Sequence, residues 1–194
     1  EAECARVQAE TGAMLVHPYT DPRVIAGQGT ATLELLAAVP DLDAVVVPVG
    51  GGGLSSGTAI TASAFAPGLR VVGAEPAGAA ETLASLRAGE RITDFTPDTL
   101  CDGLRGTLGA PNFTLLRDHG VEVLAVDDAD TIAEIGRLVE GARRHGNAGR
   151  LNCLIEVGVA GGRAGCRSLA DALAVARAAV AGGLITAVIA GLFN

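Results

Sequence analysis

The chain of 194 residues contains no lysine, so all fourteen of its basic residues are arginines. Tryptophan is also absent and aromatic residues make up 3%, so the core must be built from alanine, valine, leucine and isoleucine. The net charge of −8 argues against a nucleic-acid-binding protein, which needs a basic face. The missing lysine also excludes a Walker-type nucleotide loop, whose lysine reaches the β- and γ-phosphates.

The four cysteines, Cys4, Cys101, Cys153 and Cys166, are widely scattered and form no C-x-x-C pair. This spacing excludes zinc-finger and thioredoxin-like motifs and predicts reduced thiols in a cytoplasmic protein. The most apolar stretch, 178–193, is shorter than the about 20 residues that cross a bilayer. No membrane partner is therefore expected.

Apolar, strand-like runs alternate along the chain with helix-like segments. Strands are predicted at 13–16, 43–49, 69–74, 121–126, 151–155 and 184–189. Helices are predicted at 1–10, 24–39, 58–66, 79–88, 113–119, 127–145 and 168–181. This alternation predicts an α/β fold, in which a parallel sheet carries helices on both faces and binds ligands at the carboxyl ends of its strands.

The most informative segment is 45–57, where an apolar run is followed by four glycines, Gly50–Gly53. Glycine lets the backbone turn sharply and approach a ligand without Cβ atoms in the way. Ser55 and Ser56 then open the next predicted helix, so loop N–H groups and a helix N-terminus converge, which suits a phosphate. The alternative is a tight turn without a ligand, although four glycines each cost up to about 1 kcal/mol relative to alanine.

Three kinds of phosphate ligand can be compared with this loop. A Walker-bound nucleotide is excluded by the missing lysine. A dinucleotide needs G-x-G-x-x-G, which Gly50, Gly52 and Ser55 do not provide, although Glu75 lies at a suitable distance on the next strand. The third is a single terminal phosphate, such as that of pyridoxal phosphate.

Residues 47–57 resemble the phosphate loop of the fold-type-II pyridoxal-phosphate enzymes, especially serine/threonine dehydratases (threonine ammonia-lyases) and serine racemases. Further segments resemble the same family in order and spacing: 17–30, 72–76 and 102–104. The resemblance covers about residues 1–156. It implies a tryptophan-synthase-β-like fold, present in part, with residues 1–18 as the end of the small domain and 19–194 as the large-domain portion.

The resemblance implies a pyridoxal 5'-phosphate enzyme that converts L-threonine or L-serine to a 2-oxo acid and ammonia, or racemises serine. Such enzymes are usually dimers. Backbone N–H groups would bind the phosphate at Gly50, Gly51, Gly52, Gly53 and Leu54. Glu156 would lie near the cofactor ring, or would be simply a charged residue at a strand end.

Racemases and related dehydratases of this family also bind a Mg²⁺ or Ca²⁺ ion just beyond one strand. The matching positions here are Glu75, the backbone carbonyl of Ala79, and Glu81, an oxygen set that hard cations accept. In the alternative interpretation, Glu75 caps the following helix and Glu81 is a solvated charge.

The family's Schiff-base lysine has no counterpart in this lysine-free chain, so no catalytic residue is assigned. The family's usual serine at the pyridine nitrogen is also replaced, by Ala190. The chain is therefore expected to be an inactive fragment of the enzyme, without the lysine-bearing part. The alternative is an inactive relative that binds a phosphate ligand or pairs with an intact subunit.

Overall fold

The computed structural model describes residues 2–134, 137, 151–157 and 185–191. The helices are α1 (Ala2–Thr11), α2 (Pro22–Ala38), α3 (Gly53–Phe65), α4 (Glu81–Ala88) and α5 (Ala110–Asp118). The strands are β1 (Ala44–Pro48), β2 (Arg70–Pro76), β3 (Glu122–Val126), β4 (Leu151–Val157) and β5 (Ile185–Gly191). Short 3₁₀ helices span Ala77–Ala79 and Asp102–Leu104, and residues 128–134 are helical.

Most of the predicted elements are confirmed, although the bounds of several helices differ by one to five residues and one predicted strand is not formed. Helix α3 begins at Gly53, five residues before the predicted start, so Ser55 and Ser56 lie inside its first turn. The strand predicted at 13–16 is wrong, because this segment pairs with no strand of the described chain and leaves Met14 69% exposed. The helix predicted at 168–181 and residues 138–145 of the preceding one lie outside the described residues.

The strands form two sheets, and the pairing confirms the predicted partial α/β fold. In the first sheet the order is β1-β2-β3, and β1 runs parallel to β2 with Val46 opposite Val72. In the second sheet β4 runs parallel to β5. Strand β1 leads directly into the four glycines, so the loop lies at the carboxyl end of a parallel strand, as predicted.

The chain divides into two compact units. The first consists of Glu1–Glu75, Glu81–Asp94 and Thr107–Leu124, and the second of Pro76–Ala80, Phe95–Gly106 and Ala125–Asn194. The core of the first unit is formed by Val49, Ala59, Leu108, Phe113, Leu116, Val121 and Val123. The glycine loop, Glu75 and Glu81 all belong to this first unit.

Helix α3 is held in place by an unusually close approach to α2. A Cβ atom added to Gly57 would lie 2.5 Å from the backbone nitrogen of Gly29 and from the carbonyl oxygen of Ile25. The Thr61 hydroxyl donates to the Gly29 carbonyl at 3.1 Å, so a side chain also bridges the two helices. These contacts fix the helix whose N-terminus follows the glycine loop.

Within the described part of the chain, no helix has the length and apolar character needed to cross a membrane.

Candidate functional site

The glycine loop places the N-terminus of α3 beside the end of β1. Gly52 has a φ of +91°, a left-handed conformation that favours glycine, and its carbonyl accepts the first helical hydrogen bond, from Ser56, at 2.9 Å. The N–H groups of Gly53, Leu54 and Ser55 therefore have no acceptor within the helix. No described side chain caps this N-terminus. A helix end of this kind is suited to an anion.

Packing within the chain also requires glycine at these positions. A Cβ atom on Gly51 would collide with the ring of Tyr19, and one on Gly53 would lie 3.0 Å from the Tyr19 Cβ atom. A Cβ atom on Gly52 would lie 2.6 Å from Leu108 and 2.7 Å from Asn112. The glycines thus accommodate neighbouring residues, and the case for a phosphate rests on the N–H groups rather than on the glycine count.

Asn112 connects three segments beneath the loop. Its side chain is fully buried, and its Nδ2 donates to the Tyr19 carbonyl at 3.0 Å and to the Ser56 hydroxyl at 3.1 Å. His17 fixes the segment 17–20, which contains Tyr19. Its Nδ1 accepts from the Thr20 N–H at 3.2 Å, and its ring packs edge-on against Tyr19. Neither residue was predicted to be part of the site. Asn112 lies 93 positions from Tyr19, so no local pattern marks it.

Glu75 and Glu81 are both buried, with 2% and 5% of their surfaces exposed. Glu75 ends β2 and accepts from the N–H groups of Thr82 at 3.2 Å and Leu83 at 2.7 Å, so it caps α4. Glu81 accepts from the Leu108 N–H at 2.7 Å through Oε1, and its buried Oε2 has no partner among the described residues. Glu81 is therefore not a solvated charge.

The two carboxyl groups have perturbed acidities. Burial raises the pKa of Glu75 above its ordinary value. Burial, with a further contribution from the negative charge of Glu75, raises the pKa of Glu81 to about 7, although the Leu108 N–H favours the ionised form. A divalent cation would satisfy the unpartnered oxygen of Glu81 and neutralise both charges, so this pair fits a hard cation.

The remaining cation ligands would have to be backbone or water oxygens. The described residues contain no cluster of three or more histidine, cysteine, aspartate or glutamate side chains that could hold a metal. Ala79, whose carbonyl the sequence analysis included, lies in the short 3₁₀ helix Ala77–Ala79 and belongs to the second compact unit.

The residues expected near the cofactor ring lie in the second unit. Glu156 is on β4 and pairs in register with Ala190 on β5, which brings together the two strand-end positions that the resemblance assigns to the ring. The segment Asp102–Leu104 is a 3₁₀ turn. The chain just before this turn is held by Asp128, which accepts from the Thr99 hydroxyl at 2.6 Å and the Leu100 N–H at 2.7 Å.

The family model described as "Pyridoxal-phosphate dependent enzyme" matches residues 1–151. The chain therefore belongs to this family, and the resemblance drawn from its four segments is confirmed. The beta-hydroxyaspartate dehydratase of Paracoccus denitrificans (strain Pd 1222) is 48% identical over 132 residues, which are 68% of this chain and 42% of that protein.

Two solved structures show the same fold. Maize serine racemase gives a TM-score of 0.69 at 33% identity, covering 98% of this chain and 54% of the other. The threonine deaminase of T.th. gives a TM-score of 0.67 at 34% identity, covering 96% of this chain and 62% of the other. The chain spans about two fifths of the length of the curated relatives it matches.

Proposed function

We propose that this chain is the phosphate-binding portion of a pyridoxal-phosphate-dependent dehydratase (ammonia-lyase) or racemase that acts on L-serine or L-threonine. The observation that carries the proposal is the N-terminus of α3 at the glycine loop, which no described side chain caps, in a chain of the pyridoxal-phosphate-dependent family. Relatives named serine racemase and threonine deaminase support this substrate class. Since another relative is named beta-hydroxyaspartate dehydratase, beta-hydroxyaspartate is a further candidate substrate.

In this proposal the chain binds the cofactor through its main chain. The N–H groups of Gly50–Leu54 donate to the phosphate oxygens, and the positive end of α3 stabilises the phosphate charge. Tyr19, Leu108 and Asn112 occupy the space that side chains at Gly51–Gly53 would need, so the loop requires glycine there. When bound, pyridoxal phosphate withdraws electrons from the substrate Cα. Glu156 is placed near the ring by the resemblance alone.

A lysine-free chain contributes no side-chain amine to hold the cofactor covalently. We therefore propose that the lysine of the active enzyme lies on another part of a longer polypeptide, with residues 1–18 ending the small domain and 19–194 in the large domain. An inactive relative that binds a phosphate ligand or pairs with an intact subunit is the alternative. Cytoplasmic location and dimeric assembly remain predictions.

Comparison of two ligands tests the phosphate site directly. Pyridoxal 5'-phosphate and pyridoxal share the ring and aldehyde and differ only in the phosphate. Isothermal titration should therefore give an affinity for pyridoxal at least about tenfold weaker, because the charge-assisted hydrogen bonds to the phosphate are lost. Equal affinities for the two ligands would contradict a phosphate site at this loop.

We further propose that Glu75 and Glu81, both of the first unit, bind Mg²⁺ or Ca²⁺. The unpartnered buried oxygen of Glu81, in the field of a second buried carboxylate, supports this site. Calcium should raise the melting temperature of the wild-type chain, because a ligand that binds only the folded state stabilises it. The same rise is expected for the control Glu90→Gln, whose glutamate is exposed, but not for Glu81→Gln. A wild-type melting temperature that calcium leaves unchanged would rule the site out.

A further inference from the structure

The segment Leu108–Gly109 connects the glycine loop to a pair of charged side chains. The Gly109 N–H donates to the Gly51 carbonyl at 3.1 Å. The Leu108 side chain is fully buried and occupies the space beside Gly52, where a Cβ atom would be only 2.6 Å away. The positions of both glycines therefore depend on where this segment lies.

Two opposite charges hold the backbone of Leu108. Glu81 accepts from its N–H through Oε1 at 2.7 Å, and Arg91 donates to its carbonyl from Nη1 at 2.8 Å. The two residues lie close together in the chain, since Glu81 begins α4 and Arg91 follows the end of that helix by three residues. Charge-assisted hydrogen bonds are stronger than neutral ones, so together they fix both polar groups of Leu108.

We propose that Arg91 is a positioning residue for the phosphate loop, acting through the Leu108 carbonyl. The inference rests on the proposed function, because the property that Arg91 sets is the alignment of the loop N–H groups for a phosphate. Loss of the guanidinium leaves the Leu108 carbonyl without its charged donor, which loosens the Gly109–Gly51 hydrogen bond and the packing on Gly52. Arg91 itself is exposed and is not one of the residues that form the core of the first unit.

Titration of the full 194-residue chain with inorganic phosphate, followed by ¹H–¹⁵N correlation spectra, tests this role. The chemical shifts of the backbone amides of Gly50–Gly53 report on the loop itself. A loss of stability elsewhere in the chain would not change these shifts. Arg91→Ala should bind phosphate roughly tenfold more weakly than the wild type, the loss expected for one hydrogen bond to a charged group. Arg91→Lys retains one donor and should restore much of the affinity.

The matched control is Arg87→Ala, which removes the same charge from an exposed arginine on α4. Its phosphate affinity should equal that of the wild type. Equal affinities for Arg91→Ala and Arg87→Ala would overturn the role of Arg91. Wild-type loop amides that do not respond to phosphate would instead contradict the proposed function itself. If Arg91→Ala does not fold, Arg91→Met, which keeps the aliphatic stem, gives the same comparison.

Discussion

At the scale of single residues, Glu75 and Glu81 are the buried carboxyl groups that the structure describes in the first unit, and both have raised pKa values. Glu75 accepts two backbone N–H groups, whereas Glu81 accepts only one and leaves its second oxygen buried without a described partner. Burial raises the pKa of both groups, and the negative charge of Glu75 raises that of Glu81 further, to about 7. A carboxyl group whose pKa is higher in the folded than in the unfolded chain makes the free energy of unfolding depend on pH.

The free energy of unfolding should fall as the pH rises towards 7. The pKa of Glu81 is about 7 in the folded chain, whereas its ordinary value of 4.5 applies to the unfolded chain. Between these values the folded chain holds a proton that the unfolded chain has released, so raising the pH favours unfolding. Glu81→Gln stays neutral and should remove about 1 to 3 kcal/mol of this pH dependence.

Urea denaturation between about pH 5 and 8, in the presence of a chelator, measures this effect. Glu90→Gln, at an exposed position, is the control and should follow the wild type. Glu75 contributes in the same direction as Glu81 and remains in both variants. Parallel stability curves for the wild type and Glu81→Gln would show that Glu81 titrates normally.

At the scale of elements, apolar runs predicted the strands well, whereas helix boundaries depended on contacts that the sequence does not display. Helix α3 includes Gly53 and Gly57, which disfavour a helix locally. Glycine is nevertheless needed at both positions, because Gly57 packs closely on α2 and Gly53 on Tyr19. Helix α2 likewise buries Gly29 and Thr32, while the apolar Leu33 is 39% exposed. Hydrophobicity alone therefore did not identify the buried face of α2.

The α2–α3 contact predicts a large effect at Gly57. A methyl group there would meet the backbone of Gly29 and Ile25, neither of which can move like a flexible side chain. Gly57→Ala should therefore lower the free energy of unfolding by about 1 to 3 kcal/mol. Chemical denaturation provides the measurement.

Gly27→Ala is the matched control, because it lies on α2 with no atom within 4 Å of the added methyl group. It should raise stability by about 0.5 to 1 kcal/mol, as alanine is the better helix former. Equal changes in stability for Gly57→Ala and Gly27→Ala would show that the close approach of α2 and α3 does not require glycine at position 57.

The position of the candidate site was predictable from the sequence, but its supports were not. Four consecutive glycines after an apolar strand indicate the loop. Asn112 contacts the Tyr19 carbonyl and Arg91 the Leu108 carbonyl, both from segments that no sequence pattern links to the loop. Only the tertiary structure brings such residues together.

At the scale of the whole molecule, the family assignment predicts that the chain binds pyridoxal phosphate, whereas the absence of lysine predicts that it does not catalyse the reaction. The chain shares its fold with serine racemase and threonine deaminase, but it has no lysine side chain for covalent attachment of the cofactor. Binding and catalysis should therefore be separable in this chain. The proposed function predicts that the glycine loop binds the cofactor even without the group that completes the reaction.

The chain with pyridoxal phosphate should convert L-serine or L-threonine to a 2-oxo acid no faster than free pyridoxal phosphate does. The physical reason is that no side-chain amine is available to exchange with the substrate amine. A coupled assay of 2-oxo acid, with free cofactor as the control, measures this. Sustained turnover above that control would show that another group replaces the lysine.

A crystal structure of the chain soaked with pyridoxal 5'-phosphate tests the main proposal most directly. The phosphate should lie at the N-terminus of α3, within hydrogen-bonding distance of backbone N–H groups from Gly50 to Leu54. A phosphate bound elsewhere, or a loop that Tyr19 closes to the ligand, would contradict the proposal.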